Sequence, residues 1–150
     1  MLLTNEIKRK RAVFDTNLYV AAHKSRNPNS PTVELFKRWA DNEFDLIYCE
    51  LLIEEIKEKF FEKGITAGTT VRLISDLKTR GLEVDITSYD IETIITADPD
   101  DDFIIACAVL GYATYIVTYD SPFDCLGGQY HGIKILDGLR FLRELRDNLD

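Results

Sequence analysis

Arg11-Ala12-Val13-Phe14-Asp15-Thr16-Asn17 is a short apolar run that stops at three polar residues. A run of this length, closed by residues that favour turns, is typical of a buried β-strand. Comparable runs occur further along the chain at Phe44–Tyr48, Leu82–Ile86, Tyr115–Thr118 and Ile133–Leu136. The sequence therefore predicts five short strands.

Longer stretches, with apolar residues at helical spacing, separate these strands. Ser30-Pro31 is a helix cap followed by proline at the first helical position. Helices are predicted from Pro31 to about Trp39, between Leu51 and Gly64, over Thr69–Arg80 and Phe103–Leu110, and after Leu136. Strands joined through helices pair in parallel, because each helix returns the chain to the starting edge of the sheet. The predicted fold is α/β, a three-layer α/β/α sandwich with a central parallel sheet.

Composition predicts one globular domain over residues 1–150, since 150 residues form a single core. Apolar residues make up 45% and charged residues 29%, which excludes a disordered or fibrous chain. No apolar run approaches the roughly 20 residues of a membrane span, and charges in Met1–Arg11 argue against a signal peptide. A cytoplasmic location is expected. Cys49, Cys107 and Cys125 lie far apart, so we expect buried thiols and neither a disulfide framework nor a zinc site.

Acidic residues follow the predicted strands at the edge where ligands collect in parallel α/β sheets. Asp15 follows the first strand, Asp120 follows the fourth, and Asp98–Asp102 opens a helix on the same side. Glu54 or Glu55, near the start of the helix after the second strand, can join them. Clustered carboxylates repel one another unless a cation is bound, and oxygen ligands of this kind suit Mg²⁺ or Mn²⁺. Because such an ion activates water and neutralises phosphoryl charge, the residues predict metal-assisted phosphodiester cleavage.

Each acid also has a purely structural alternative. An Asp at a strand end often accepts backbone hydrogen bonds in a turn, which applies to Asp15. At least one residue of Asp100–Asp102 is expected to cap the helix that follows it. The convergence of several acids on one edge is what favours a site.

Four segments carry the acids, in a fixed order. They are Val13-Phe14-Asp15-Thr16-Asn17, Glu50-Leu51-Leu52-Ile53-Glu54-Glu55-Ile56, Asp98-Pro99-Asp100-Asp101-Asp102-Phe103-Ile104-Ile105-Ala106-Cys107-Ala108 and Tyr115-Ile116-Val117-Thr118-Tyr119-Asp120. In order and spacing they resemble the acidic motifs of the PIN-domain nucleases, and in particular the single-domain PIN toxins of toxin–antitoxin pairs. The resemblance spans nearly the whole chain and implies a ribonuclease site that depends on Mg²⁺ or Mn²⁺.

By position, the resemblance assigns four acids that are both catalytic and metal-binding, with Asp98 as a further metal ligand. The four are Asp15, Glu55, Asp101 and Asp120. The residues expected to orient these acids or bind water are Thr16, Asn17 and Thr118. The resemblance also implies RNA as the substrate, an antitoxin protein as a partner, and a homodimer.

Two further features lie beside these motifs. Lys24 and Arg26, in the loop after the first strand, are predicted on the same edge as the acids and are candidates for holding an RNA phosphate. Tyr119 stands where the family often has glycine, which implies strain if that position has glycine's positive φ.

The net charge of −8 alone disfavours a phosphate-rich partner, but five of those eight excess negative charges belong to the proposed site acids.

Two other functions are open at this point. A catalytically inactive PIN module would bind RNA or a protein without cutting, although retention of all four acids argues against it. A Mg²⁺-dependent aspartyl-phosphate enzyme also places Asp at a strand end. However, Asn17 stands where haloacid-dehalogenase-like enzymes need Asp, and response-regulator receivers need an acidic pair at the first strand. The leading hypothesis is a metal-dependent endoribonuclease, in which bound water attacks an RNA phosphodiester.

Overall fold

The computed structural model describes residues 9–87, 102–119 and 128–147, which contain six strands and six helices. The strands are β1 (Arg11–Phe14), β2 (Asp45–Tyr48), β3 (Leu82–Glu83), β4 (Tyr115–Val117), β5 (Gln129–Tyr130) and β6 (Ile133–Leu136). The helices are α1 (Thr16–Lys24), α2 (Pro31–Ala40), α3 (Glu50–Glu62), α4 (Ala67–Arg80), α5 (Asp102–Leu110) and α6 (Gly138–Asp147). None of these helices combines the length and apolar character that crossing a membrane requires.

All six described strands belong to one sheet, in the order β3-β2-β1-β4-β6-β5. Pairing is parallel from β3 to β6, and β5 joins β6 in the antiparallel direction. Val13 of β1 is level with Ile47 of β2 and Ile116 of β4. The predicted α/β/α sandwich is confirmed, with an antiparallel strand added at one edge.

The two faces of the sheet are covered by different helices. On one face, α5 packs against β1, β2 and β4. On the other, the Phe14 ring lies 5.5 Å from Phe36 of α2 and 5.9 Å from Phe141 of α6. Successive side chains of a strand point to opposite faces, and Asp15 continues the extended backbone of β1 with φ −66° and ψ 157°. Asp15 is therefore on the α5 face, opposite Phe14.

Three elements differ from the sequence-based expectation. Helix α1 occupies nine residues directly after Asp15, where no helix was predicted. Strand β3 pairs only at Leu82 and Glu83, so the predicted strand Leu82–Ile86 was too long. The antiparallel β5 was not predicted. It joins β6 through a two-residue turn at His131 and Gly132, whose φ angles are 49° and 83°. Both angles suit the tight turn that matches the twist of paired strands.

Candidate active site

Asp15 lies at the carboxyl end of β1, and its carboxylate is held from two sides. The Thr118 hydroxyl donates to Oδ2 at 2.8 Å, and the Thr16 amide donates to Oδ1 at 2.7 Å. The Asp15 amide itself donates to the carbonyl of Val117 at 3.0 Å, which extends the pairing of β1 with β4. Only 2% of the residue is exposed. Burial of a carboxylate is costly unless such donors surround it, so the local structure is built to keep this charge inside.

The structural alternative for Asp15, a simple helix cap, describes only part of this geometry. A capping side chain ordinarily accepts from the second or third residue of its helix. Asp15 precedes α1 but accepts from the first helical residue, Thr16, and also from Thr118 on a neighbouring strand end. The carboxylate is therefore turned towards the carboxyl edge of the sheet and fixed there.

Glu55 is joined to this arrangement through Thr16. The Thr16 hydroxyl donates to Oε1 of Glu55, across from α1 to α3. Thr16 is buried and Glu55 is half-buried, whereas the neighbouring Glu54 is exposed and forms an ion pair with Lys57 at 3.3 Å. Of the two glutamates that the sequence left open, Glu55 is the one that the structure brings next to Asp15.

Helices α1 and α3 lie side by side and run in the same direction. Thr16 contacts Glu55 at one end, and at the other end the Lys24 ammonium donates to the carbonyl of Lys63 at 3.1 Å, with the same sequence separation of 39 residues. Eight residues of helix place these two ends about 12 Å apart. Lys24 is the last residue of α1 and Arg26 follows it; both are exposed, and α1 carries the chain away from Asp15 before it reaches them. Their role in holding an RNA phosphate stays a prediction.

The PIN domain family model matches residues 11–121. The chain belongs to the PIN domain family. PIN domains are nucleases and generally use divalent metal ions. No curated protein matches the chain in sequence.

Two solved structures show the same fold as this PIN domain. A chain of VapBC2 from Rickettsia felis, bound to a DNA fragment from its promoter, aligns with TM-score 0.55 and 13% identity over 83% of this chain and 96% of that one. FitAcB from Neisseria gonorrhoeae contains a chain that aligns with TM-score 0.51 and 16% identity over 85% of this chain and 98% of that one. These neighbours are PIN toxins of toxin–antitoxin systems.

Three predicted acids of the PIN domain, Asp98, Asp101 and Asp120, lie outside the described residues. In the described ranges 9–87, 102–119 and 128–147, no three His, Cys, Asp or Glu side chains group closely enough to hold a metal ion. The two described acids nevertheless supply oxygen donors on one edge, and a carboxylate set of this type is the kind that Mg²⁺ or Mn²⁺ prefers. The residues present therefore fit a divalent ion.

The three orienting residues predicted for this PIN domain take different positions. Thr118 and Thr16 each donate a hydroxyl to one of the two acids, as already described. Asn17 is exposed on the first turn of α1. The two threonines are the ones that contact the acids.

Tyr119 departs from the family pattern without backbone strain. Among the described residues other than glycine, positive φ occurs at Asn42, Tyr112 and His131, so Tyr119 does not have the positive φ that would strain it. Its hydroxyl lies against Gly138 at the start of α6, where an added Cβ would come within 2.2 Å of it. Sequence reasoning missed this contact. The available signal is a glycine at the first position of α6, directly after Asp137, whose side chain accepts from the Arg140 amide.

Two thiols and a phenol lie in the core below the acids. Cys49, which precedes α3, and Cys107 of α5 are buried and free, as the sequence predicted for these two. A hydrogen bond to Cys49, reinforced by burial, raises the pKa of the Cys107 thiol. Burial first, and then the two thiols, raise the pKa of Tyr19 well above its usual range. The Cys107 thiol and the Tyr19 phenol are therefore neutral, whereas the hydrogen bond with Cys107 lowers the pKa of the Cys49 thiol. Cys125 lies outside the described residues.

Proposed function

We propose that this PIN domain is a metal-dependent endoribonuclease and the toxin of a toxin–antitoxin pair. The observation that carries the proposal is the chain of contacts from Thr118 to Asp15 and from Thr16 to Glu55 at the carboxyl edge of the sheet. It keeps two acids close together in a partly buried position, at the edge where ligands bind in parallel α/β folds.

Mg²⁺ or Mn²⁺ would be held by Asp15 and Glu55, together with Asp98, Asp101 and Asp120. When bound, such an ion activates water and neutralises charge on a phosphodiester. The work of this chain's residues is positional. Thr118 holds one oxygen of Asp15, the Thr16 amide holds the other, and the Thr16 hydroxyl orients Glu55. Fixed donors of this kind avoid rearrangement during the reaction.

The residues around Asp15 argue against the aspartyl-phosphate alternative. Asn17 stands where a haloacid-dehalogenase-like enzyme needs Asp, and Asp15 is alone at the end of β1, where a response-regulator receiver needs an acidic pair. Stable labelling of Asp15 by acetyl phosphate would contradict the nuclease proposal.

An antitoxin partner, a homodimer and a cytoplasmic location belong to the same proposal. The neighbouring structures are of toxin–antitoxin complexes, which supports an antitoxin partner. Phe61 and Val71 are 86% and 66% exposed beside an apolar groove of about 290 Å³ between α3 and α4. Exposed apolar surface of this kind supports a protein partner. Light scattering of the purified chain tests the homodimer.

The experiment compares the chain with Asp15→Asn, which keeps the shape of the side chain and removes its charge. We expect Mn²⁺ or Mg²⁺ to support cleavage of a varied RNA panel by the unmodified protein. Asp15→Asn should lower that cleavage at least about a hundredfold and weaken Mn²⁺ binding in a calorimetric titration. Asp76→Asn, an exposed substitution on α4, is the matched control. Equal cleavage by all three proteins would overturn the proposal.

A further inference from the structure

Tyr119 exposes an aromatic ring to solvent at the carboxyl edge of the sheet, where Asp15 lies. It directly follows Thr118, the residue whose hydroxyl holds Asp15, so the two Cα atoms are about 3.8 Å apart. Tyr119 is 49% exposed. Because side chains alternate along extended chain, Thr118 points towards Asp15 and Tyr119 towards the opposite face, over the start of α6. The ring therefore borders the site without entering it.

The tip of the ring lies against Gly138. A Cβ added at Gly138 would lie 2.2 Å from the Tyr119 hydroxyl oxygen and 3.1 Å from Cζ, so only glycine permits this approach. Burial and the charge of Asp137 raise the pKa of Tyr119, against the opposing effect of a hydrogen bond from the Gly138 backbone. The phenol is thus neutral and its tip packs against Gly138, while about half of the residue is exposed.

A fixed, half-exposed ring has a specific use in a protein that cuts RNA. Unpaired bases stack on aromatic side chains, whereas a base inside a duplex already has both faces covered by its neighbours. Stacking demands little further ordering when the ring is already held in place. A free tyrosine on a mobile side chain would lack this advantage.

We propose that Tyr119 is a specificity-determining residue that stacks an unpaired RNA base next to the cleaved phosphodiester, with Gly138 positioning its ring. The inference rests on the proposed function for the identity of the substrate. It goes further by naming a contact that requires single-stranded RNA, and it assigns Gly138 a role through Tyr119.

The first test measures binding of a fluorescein-labelled single-stranded RNA by anisotropy, in the Asp15→Asn background at low ionic strength. We expect Tyr119→Leu to weaken binding about tenfold to a hundredfold, and Tyr119→Phe to bind within about twofold of its parent, because the ring remains. Tyr112→Leu is the matched control, since Tyr112 is 82% exposed in the turn after α5, away from the acids. Unchanged affinity for Tyr119→Leu, or no binding by the parent, would overturn the inference.

An abasic series separates stacking from a merely structural role. Each nucleotide of the RNA is replaced in turn by an abasic one, and we expect the penalty of Tyr119→Leu to vanish at one position. A penalty that persists for every abasic RNA contradicts stacking.

Gly138→Ala tests the positioning role, because the new methyl group must displace the Tyr119 hydroxyl. It should weaken RNA binding like Tyr119→Leu, and the double variant with Tyr119→Phe should recover part of the loss. Circular dichroism checks that each variant is folded. Full binding by Gly138→Ala alone would contradict the role given to Gly138.

Cleavage kinetics keep the two proposals distinguishable. In the active chain, Tyr119→Leu should raise KM for single-stranded RNA and leave kcat within about threefold, since the contact is made equally before and during the reaction. Loss of kcat with unchanged KM contradicts the inference. Absence of metal-dependent cleavage, together with Tyr119-dependent RNA binding, would reject the nuclease proposal and retain the stacking contact.

Discussion

Aspartates at the two edges of the sheet differ in their burial and in their hydrogen-bond donors. At the amino edge, Asp45 is partly exposed and forms ion pairs with Arg9 at 3.1 Å and Arg11 at 3.6 Å. At the carboxyl edge, Asp15 is 2% exposed and accepts hydrogen bonds from a hydroxyl and a backbone amide. Two arginines pair with the first carboxylate, whereas a hydroxyl and a backbone amide hold the second in position. The two carboxylates therefore differ in burial and in the kind of donor that holds them.

Two adjacent glutamates of α3 give the largest expected contrast at the carboxyl edge. Glu55→Gln should lower metal-dependent RNA cleavage about a hundredfold, because a charged oxygen beside Thr16 is lost. Glu54→Gln is the control, since Glu54 is exposed and its pair with Lys57 is a weak surface interaction. Initial cleavage rates at saturating Mn²⁺ measure both. Equal rates for the two variants would remove Glu55 from the site.

Removing the hydroxyl of Thr118 tests how much its hydrogen bond to Asp15 contributes to activity and stability. Thr118→Val keeps the shape of the side chain but leaves Oδ2 of Asp15 without this hydroxyl. We expect activity to fall about tenfold to a hundredfold and the free energy of unfolding to fall by about 1–3 kcal/mol. Thr118→Ser retains the hydroxyl and should stay close to the parent in both measurements. Wild-type activity in Thr118→Val would show that the bond does not orient Asp15.

At the opposite end of the domain, packing should affect stability without affecting the acids. An added Cβ at Gly111 would lie 2.8 Å from Ile47 Cγ2 and 2.9 Å from Val84 Cγ2. Gly111→Ala should therefore lower the free energy of unfolding by about 1–3 kcal/mol in urea titrations, with unchanged cleavage per folded molecule. Gly68→Ala, whose nearest contact would be 3.9 Å away, is the matched control and should not destabilise. Similar stability of both variants would contradict the tight packing at Gly111.

The smallest expected effect concerns pH and the ion pair between α2 and α6. A hydrogen bond from Arg146, at 2.7 Å, is the main cause that lowers the pKa of Glu34 from its ordinary value of 4.5. The pKa of Glu34 is lower in the folded protein than in the unfolded chain. The ion pair therefore stabilises the fold above pH 4.5, and this stabilisation is lost as pH falls through the folded pKa. Solvent screening limits its contribution to the free energy of unfolding to about 0.5–1 kcal/mol.

Glu34→Gln should accordingly lower the free energy of unfolding at neutral pH, and the difference from the parent should shrink in acid. Glu62→Gln, which breaks an exposed pair with Lys59 at 3.8 Å, is the control. A Glu34→Gln difference that does not change between neutral pH and acid would contradict the shifted pKa.

The main architecture could be predicted because strands buried on both faces are continuous apolar runs. The same reasoning placed Asp15 at a strand end and predicted the Ser30 cap, whose side chain accepts from the Val33 amide. Helix α1 was missed because Asp15-Thr16-Asn17 are turn-forming residues that end the apolar run of β1, yet Thr16 and Asn17 are the first two residues of the helix. Strand β3 was predicted too long because Val84 and Ile86 alternate with polar residues, yet pairing with β2 ends at Glu83.

Sequence spacing predicted which acids form the site, but not the hydrogen bonds that Thr16 and Thr118 donate to Asp15 and Glu55. The choice of Glu55 over Glu54 depends on the packing of α1 beside α3, a contact between residues 39 positions apart. The displacement of Lys24 has the same origin, since it follows from the length of a helix that was not predicted. The close approach of Tyr119 and Gly138 likewise depends on tertiary structure.

The bond between Thr118 and Asp15 joins residues 103 positions apart, and the Asp15 amide meets the carbonyl of Val117. During translation, a nascent chain that has not yet released β4 from the ribosome contains Asp15, Thr16 and Glu55 but lacks the strand that completes their support. Under the proposed function, synthesis of this nuclease would take place on the RNA machinery that it can damage. The order of the chain therefore delays assembly of the site until most of the protein has emerged.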